Sequence, residues 1–241
     1  MKLLLDIGNS RLKWALADPS GLIHSGALVH DGNPAAVLAA LAIETPPSQI
    51  WVAHVTGPEL EAALSSALQR RFGCSPQFAR SAPMWRGLRN AYAEPHRLGI
   101  DRWLAMIAAW AESPSAVCIA DAGTALTIDC VDTQGQHLGG VICAGLLTQQ
   151  RATLGHTRFE TRQLGADYHA RLGRDTEACV REGAMLACLG AIDRGGAVLG
   201  VQARCLITGG DAQILRPHLQ QSWSHRPNLV LEGLLALSLG D

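Results

Sequence analysis

The chain opens on an apolar run, residues 2–7, in which three leucines lead straight into Asp6. The polar turn Gly8-Asn9-Ser10 separates it from residues 11–17, where apolar and polar positions alternate loosely. Short runs of this kind bounded by turn residues predict strands. A third strand is predicted over 21–29, after Asp-Pro-Ser-Gly. Residues 33–43 carry a helical pattern behind the start signal Asp-Gly-Asn-Pro, and 49–55 (QIWVAHV) read as a buried strand. A helix over 57–71 and a short strand at PQFAR follow. Next, Trp103, Leu104, Ile107 and Trp110 fall on one face of a helix at i, i+1, i+4 and i+7.

After Ala-Glu-Ser-Pro-Ser the opening pattern returns. AVCIADAGTALTIDCVDTQGQHLGGVI is an apolar strand ending in Asp121, a Gly-Thr turn, a second strand, a polar turn and a third strand. Asp6-x-Gly8 matches Asp121-x-Gly123, and the turn glycines Gly21 and Gly135 lie 15 and 14 residues past those aspartates. Helices are predicted over 144–155 and 175–194, then a strand at ARCLITGG, a helix from Asp211 and a last helix after Pro227. The chain therefore reads as an internal duplication, β-β-β-α-β-α in each half. The halves are residues 1–112 and 113–241, facing each other across a cleft, a favoured place for a ligand. The length of 241 residues suits two such halves.

Composition narrows the class. Hydrophobic residues are 48% and charged residues 17%, enough for packed cores and unlike a disordered chain. A net charge of -1 gives no reason to expect a nucleic-acid partner. Of 20 cationic residues only Lys2 and Lys13 are lysine, and Lys13 lies beside the first polar turn. Seven cysteines, an odd number without any C-x-x-C, read as reduced core residues of a cytoplasmic protein. The apolar start is too short for a secretion signal, and no run approaches the length of a membrane span.

Neither a G-x-x-x-x-G-K-[ST] loop nor G-x-G-x-x-G after a strand occurs. What recurs is strand, Asp-x-Gly, strand. Such a turn can aim backbone N–H groups at an anion, with Gly8 and Gly123 letting it approach and Asn9, Ser10 and Thr124 adding neutral donors. Asp6 and Asp121 repel phosphate and become useful when a cation, usually Mg²⁺, lies between. Either turn alone also reads as an ordinary hairpin; the repetition favours a nucleotide held from both halves. Lys13 either reaches a phosphate or is a solvated strand residue. The third turn, Thr208-Gly209-Gly210-Asp211-Ala212, would let a ring or ribose lie on the backbone, with Asp211 as a helix cap.

Four motifs in order, DIGNSRLK at 6–13, GIDR at 99–102, DAGTA at 121–125 and TGGDA at 208–212, resemble the type III pantothenate kinases of the sugar kinase, actin and heat-shock chaperone superfamily. Residues 90–102, NAYAEPHRLGIDR, are especially similar to that family's segment. The resemblance implies two ribonuclease H-like halves in an actin-like ATPase fold, a homodimer, and ATP-dependent phosphorylation of pantothenate on the way to coenzyme A. It implies Mg²⁺, and K⁺ or NH4⁺. It assigns Asp6, Ile7, Gly8, Asn9, Ser10, Arg11, Leu12 and Lys13 to the ATP phosphates, together with Gly123 and Thr124. Gly209 and Gly210 fall to the nucleotide as well. Tyr92, Gly99, Ile100, Asp101 and Arg102 would contact pantothenate, as would Thr176 from across the dimer interface. Asp101 becomes the general base, Asp121 the monovalent-cation ligand and Asp6 a ligand of Mg²⁺ through water. Two positions depart from the family pattern: Ala144 stands where proline is usual, and Ser10 where threonine is commoner.

Taken without the resemblance, Asp101 also reads as a helix cap with Arg102 in a surface ion pair, and Tyr92 as a core aromatic. An ATP-binding regulator of the same fold, of the Bvg accessory factor type, would share the phosphate turns. It would not need Tyr92, Gly99, Asp101, Arg102 and Thr176, all of which are present. Sugar or acetate kinases of the superfamily usually carry larger insertions. No histidine pair or His–Cys spacing suggests a transition-metal site, and no G-x-S-x-G suggests hydrolysis.

Overall fold

The computed structural model describes residues 1–30, 33–41, 43–55, 57–159, 164–200 and 202–240. The chain forms two compact units: Met1–Ser113 together with Asn228–Asp241, and Pro114–Pro227. The first contains β1 (Lys2–Ile7), β2 (Arg11–Asp18), β3 (Gly21–Val29), α1 (Pro34–Val37), β4 (Gln49–His54), α2 (Pro58–Phe72), β5 (Pro76–Phe78), β6 (Met84–Trp85), β7 (Leu88–Arg89) and α3 (Ile100–Glu112). The second contains β8 (Val117–Ala122), β9 (Ala125–Val131), β10 (His137–Ala144), α4 (Leu146–His156), α5 (Thr176–Ala197), β11 (Arg204–Thr208), α6 (Ala212–Leu215) and β12 (Ser224–His225). The last helix, α7 (Leu229–Ser238), returns to the first unit.

The two sheets have one topology. Strand order is β3-β2-β1-β4-β5 in the first and β10-β9-β8-β11-β12 in the second. In each, the first strand pairs antiparallel with the second and parallel with the fourth. Pleating sends alternate residues to opposite faces. Leu3, Leu5 and Ile7 pack with Leu64 and Leu68 of α2 on one face, so Asp6 leaves the other. Cys118, Ala120 and Ala122 likewise pack with Met185, Cys188 and Ile192 of α5, so Asp121 leaves the opposite face of its sheet.

Helix ends follow local chemistry. Gly73 ends α2 in the left-handed conformation (φ 66°), with Arg70 and Arg71 in the last turn and Glu59 and Glu61 in the first. Asp175 caps α5 by accepting from the Ala178 N–H at 2.7 Å.

The structure differs from the sequence reading in several places. The helix expected over 33–43 is one turn, Pro34–Val37, continued by a 3-10 turn over Leu38–Ala40. Ala42, with Asp31 and Gly32 of its start signal, lies outside the described residues. The helix at Asp211 is also a single turn, and the Asp211 side chain makes no cap bond there. The hairpin β6–β7 was not legible: its strands are two residues each, joined by Arg86 and Gly87 at φ 41° and 86°. Finally, residues 228–241 belong with the first unit rather than the second half. The physical reason is α7 itself, whose Leu229, Leu231 and Leu234 are fully buried. It packs on α3 and across β1, β2 and β4. At the crossing, a Cβ on Gly233 would stand 1.9 Å from the Leu104 carbonyl oxygen, so only glycine fits.

Candidate active site

The first turn joins β1 to β2. The Gly8 N–H donates to the Arg11 carbonyl at 3.0 Å. Asp6 and Lys13 are directly opposed across the strand pair, so their side chains share a face. Ile7 and Leu12 are buried and anchor the turn, while Asn9, Ser10 and Arg11 are exposed at its tip. Gly8 is not required by the fold. Its φ is not positive, and a Cβ there would meet nothing nearer than the Arg11 carbonyl oxygen at 3.6 Å.

The second turn, between β8 and β9, repeats this geometry. The Gly123 N–H donates to the Ala125 carbonyl at 3.0 Å, and a Cβ on Gly123 would again find ordinary space. Here two other segments press on the turn. Gly145, at the start of α4, donates its N–H to the Thr124 carbonyl at 3.0 Å, and the Thr148 hydroxyl donates to the same oxygen at 2.7 Å. A Cβ on Gly145 would lie 1.9 Å from the Gly123 oxygen. Gly209, at φ 95°, approaches Ala122 so closely that a Cβ would come within 2.2 Å of its oxygen, and the Asp211 N–H donates to that oxygen at 2.9 Å. DAGT, Ala144-Gly145 and TGGD are thus one assembly, with exposed Gly210 at its edge. The positive end of α4 stands at the turn. Gly145 escaped the sequence reading, although the departure at Ala144 marked its neighbour.

The third cluster forms at the start of α3. Gly99 caps the helix by position, and the Asp101 Oδ1 accepts from the Arg102 backbone N–H at 2.8 Å. A Cβ on Gly99 would stand 2.6 Å from that oxygen, so glycine makes room for this carboxylate orientation. Asp101 is half-buried inside the first turn and is not the cap. Arg102 is buried and not a surface residue. Its Nη1 donates to the Tyr92 hydroxyl at 3.0 Å, with the guanidinium 5.9 Å from the ring centre. Tyr92 is placed by Asn90, whose Oδ1 accepts the Tyr92 N–H at 2.9 Å and whose Nδ2 donates to the Ala82 and Pro95 carbonyls. Asn90 carries no assignment in the sequence reading, though it opens the motif that the reading singled out. The geometry brings Tyr92, Gly99, Ile100, Asp101 and Arg102 together, with Ile100 facing the core.

Thr176 is exposed at the first position of α5 in the second unit. It lines a cavity of about 770 Å³ with Gln149, Thr153, Phe159, Asp175 and Cys179. Among the described residues, no three His, Cys, Asp or Glu side chains form a metal-ligating set. Mg²⁺ is usually held by one or two carboxylates alongside substrate phosphates, and a single half-buried Asp6 fits that arrangement. Asp121 is the register partner of Thr208 on β11. The Thr208 hydroxyl is buried and has no hydrogen-bond partner among the described residues. A carboxylate beside an unsatisfied hydroxyl is an all-oxygen donor pair suited to a hard cation. No helix among the described residues is long and apolar enough to cross a membrane.

Two sheets of identical order, each with an Asp-x-Gly turn between its first two strands, define the actin-like class built from ribonuclease H-like halves. Solved structures share the fold. A Campylobacter jejuni protein described as a Baf family transcriptional activator aligns over 96% of this chain and 94% of its own, with a TM-score of 0.58 at 20% identity. The activator of 2-hydroxyisocaproyl-CoA dehydratase from Clostridium difficile, solved with bound ADPNP, covers 99% and 92% with a TM-score of 0.52 at 13% identity. Sequence comparison is more specific. The family model for type III pantothenate kinase matches residues 2–196. The type III pantothenate kinase of Halorhodospira halophila is 40% identical over 98% of this chain and 96% of its own. That of Nitrosococcus oceani is 35% identical over 97% and 92%. The chain belongs to the type III pantothenate kinase family.

Proposed function

We propose that this protein transfers the terminal phosphoryl group of ATP to the primary alcohol of pantothenate, the first step towards coenzyme A. The observation that carries this reading is the cluster at the start of α3, where one carboxylate, one buried guanidinium and one phenol converge. Phosphoryl transfer asks chiefly for positioning and charge neutralisation. Asp6 to Lys13 are assigned to the ATP phosphates, as are Gly123 and Thr124, and Gly209 with Gly210 to the nucleotide. Asp101 accepts the alcohol proton, which becomes acidic as the new O–P bond forms, so an ordinary carboxylate serves. Its hold on the Arg102 N–H through Oδ1 fixes the direction of the carboxylate. Arg102 and Tyr92 orient the polar end of pantothenate, and Thr176 contributes from a second copy of the chain in a homodimer. When bound, Mg²⁺ at Asp6 through water and K⁺ or NH4⁺ at Asp121 would offset phosphate charge. Seven free cysteines support a reducing, cytoplasmic setting.

The test is ADP release with Mg²⁺, K⁺ and ATP, with and without pantothenate. Turnover that depends on pantothenate is expected. Asp101→Asn should lower kcat by about 10²–10⁴-fold and leave the KM for ATP nearly unchanged. Absence of pantothenate-dependent turnover under either cation sinks the reading.

A further inference from the structure

We propose that His30 is a positioning residue for phosphoryl transfer, holding the Gly8–Arg11 turn in the form that presents the Asn9 backbone N–H outward. His30 directly follows β3. Its backbone N–H donates to the Ser10 carbonyl at 3.1 Å, and its ring Nε2 lies 3.0 Å from the Gly8 carbonyl oxygen. A carbonyl can only accept, so Nε2 carries the proton.

The consequence follows from peptide geometry. Among the described residues every peptide bond is trans, and in a planar trans peptide the N–H points opposite to the C=O. Tying the Gly8 carbonyl to the His30 ring therefore turns the Asn9 N–H away from that ring. Tying the Ser10 carbonyl to the His30 N–H turns the Arg11 N–H away from β3, towards β1 across the turn. One residue sets two peptide planes of the turn, and of the two the Asn9 N–H lies at an exposed position. A backbone N–H held outward at the tip of a turn is a preset donor for an anion.

Two further observations separate this role from simple core filling. His30 is only 6% exposed, so water does not readily replace the ring at Gly8. Its Nδ1 is buried and has no hydrogen-bond partner among the described residues. An apolar side chain would fill the same space without an unsatisfied nitrogen, so the imidazole is explained by what Nε2 holds.

The inference rests on the assignment of residues 6–13 to ATP phosphates, and the test keeps the two apart. In His30→Gln the amide nitrogen can reach the place of Nε2; in His30→Asn it falls short, at the place of Nδ1. Both retain the backbone bond to Ser10. KM for ATP, KM for pantothenate and the ATP-induced rise in melting temperature are measured for both and for Lys13→Ala. His30→Asn should raise the KM for ATP about tenfold, the effect of one lost positioning hydrogen bond, with the KM for pantothenate unchanged. The same variant should lose most of the ATP-induced stabilisation, whereas His30→Gln should stay close to wild type in both. Equal KM values for ATP in the Asn and Gln variants overturn the role of His30. If Lys13→Ala alone raises that KM, the turn assignment survives; if no variant moves it, the turn assignment falls too.

Discussion

Glycines carry two different kinds of information at the residue scale. Gly145 and Gly209 are demanded by the fold, because a Cβ on either would collide with the backbone of Ala122 or Gly123. Gly8 and Gly123 are not, since each has ordinary φ and space for a methyl group. A glycine that the fold does not need is accounted for, on the proposed function, by a phosphate approaching the backbone. Gly8→Ala is therefore expected to keep the wild-type melting temperature within about 2 °C while raising the KM for ATP several-fold. Gly209→Ala should lower the melting temperature by about 5 °C or more, from backbone collision at a left-handed position. Differential scanning calorimetry with ATP-dependent kinetics separates the two. The motif letters show both kinds of glycine alike; only neighbours distant in sequence tell them apart.

The clearest control of one element by another is the tie between α5 and the irregular stretch before it. Glu182, buried on α5, accepts the His169 N–H with both carboxylate oxygens, at 3.0 and 3.3 Å. Between His169 and Arg171, Ala170 adopts a left-handed φ of 52°, so the backbone curls round the carboxylate. Burial alone would raise the Glu182 pKa. The backbone N–H groups of His169 and Arg171 and the Arg181 side chain outweigh it and hold the carboxyl below its usual 4.5. A group with a depressed folded pKa stabilises fully above its unfolded value and loses that contribution as pH falls through the folded one. Residues 164–175 should therefore gain hydrogen exchange as pH drops below 4.5. In Glu182→Gln the stretch should exchange quickly even at neutral pH. Exchange equally slow in both proteins at every pH would remove Glu182 from this role. The helix itself was legible, predicted over 175–194 and observed as Thr176–Ala197. The clasp was not, because a lone glutamate on a helix ordinarily reads as solvated.

For the whole molecule, the duplication is legible because both halves repeat the same local signals, a strand halted by Asp, a Gly turn and a returning strand. The two sheets share one strand order, each with a fifth strand beyond the four of the repeated outline. The return of α7 is not legible. Its three fully buried leucines contribute about 1.5–3 kcal/mol each. Their sum rivals the roughly 5–15 kcal/mol that stabilises a whole domain. A chain ending at Pro227 is expected to leave residues 1–113 open to limited proteolysis while 114–227 resist. Uniform resistance of the shortened chain would show that α7 is dispensable.

The sequence by itself determined the first four strands of each sheet and β5, the two Asp-x-Gly turns, the helix carrying Asp101 and the order in which they occur. Apolar period and turn chemistry act over a few residues and are written along the chain. Only the tertiary structure decided that α7 completes the first unit, that Arg102 is buried against Tyr92, that Gly145 and Gly209 lie on the DAGT turn, and that His30 grips Gly8. Each of these joins segments well separated along the chain, and which distant group fills a given space is settled by packing and hydrogen-bond geometry, not by local pattern.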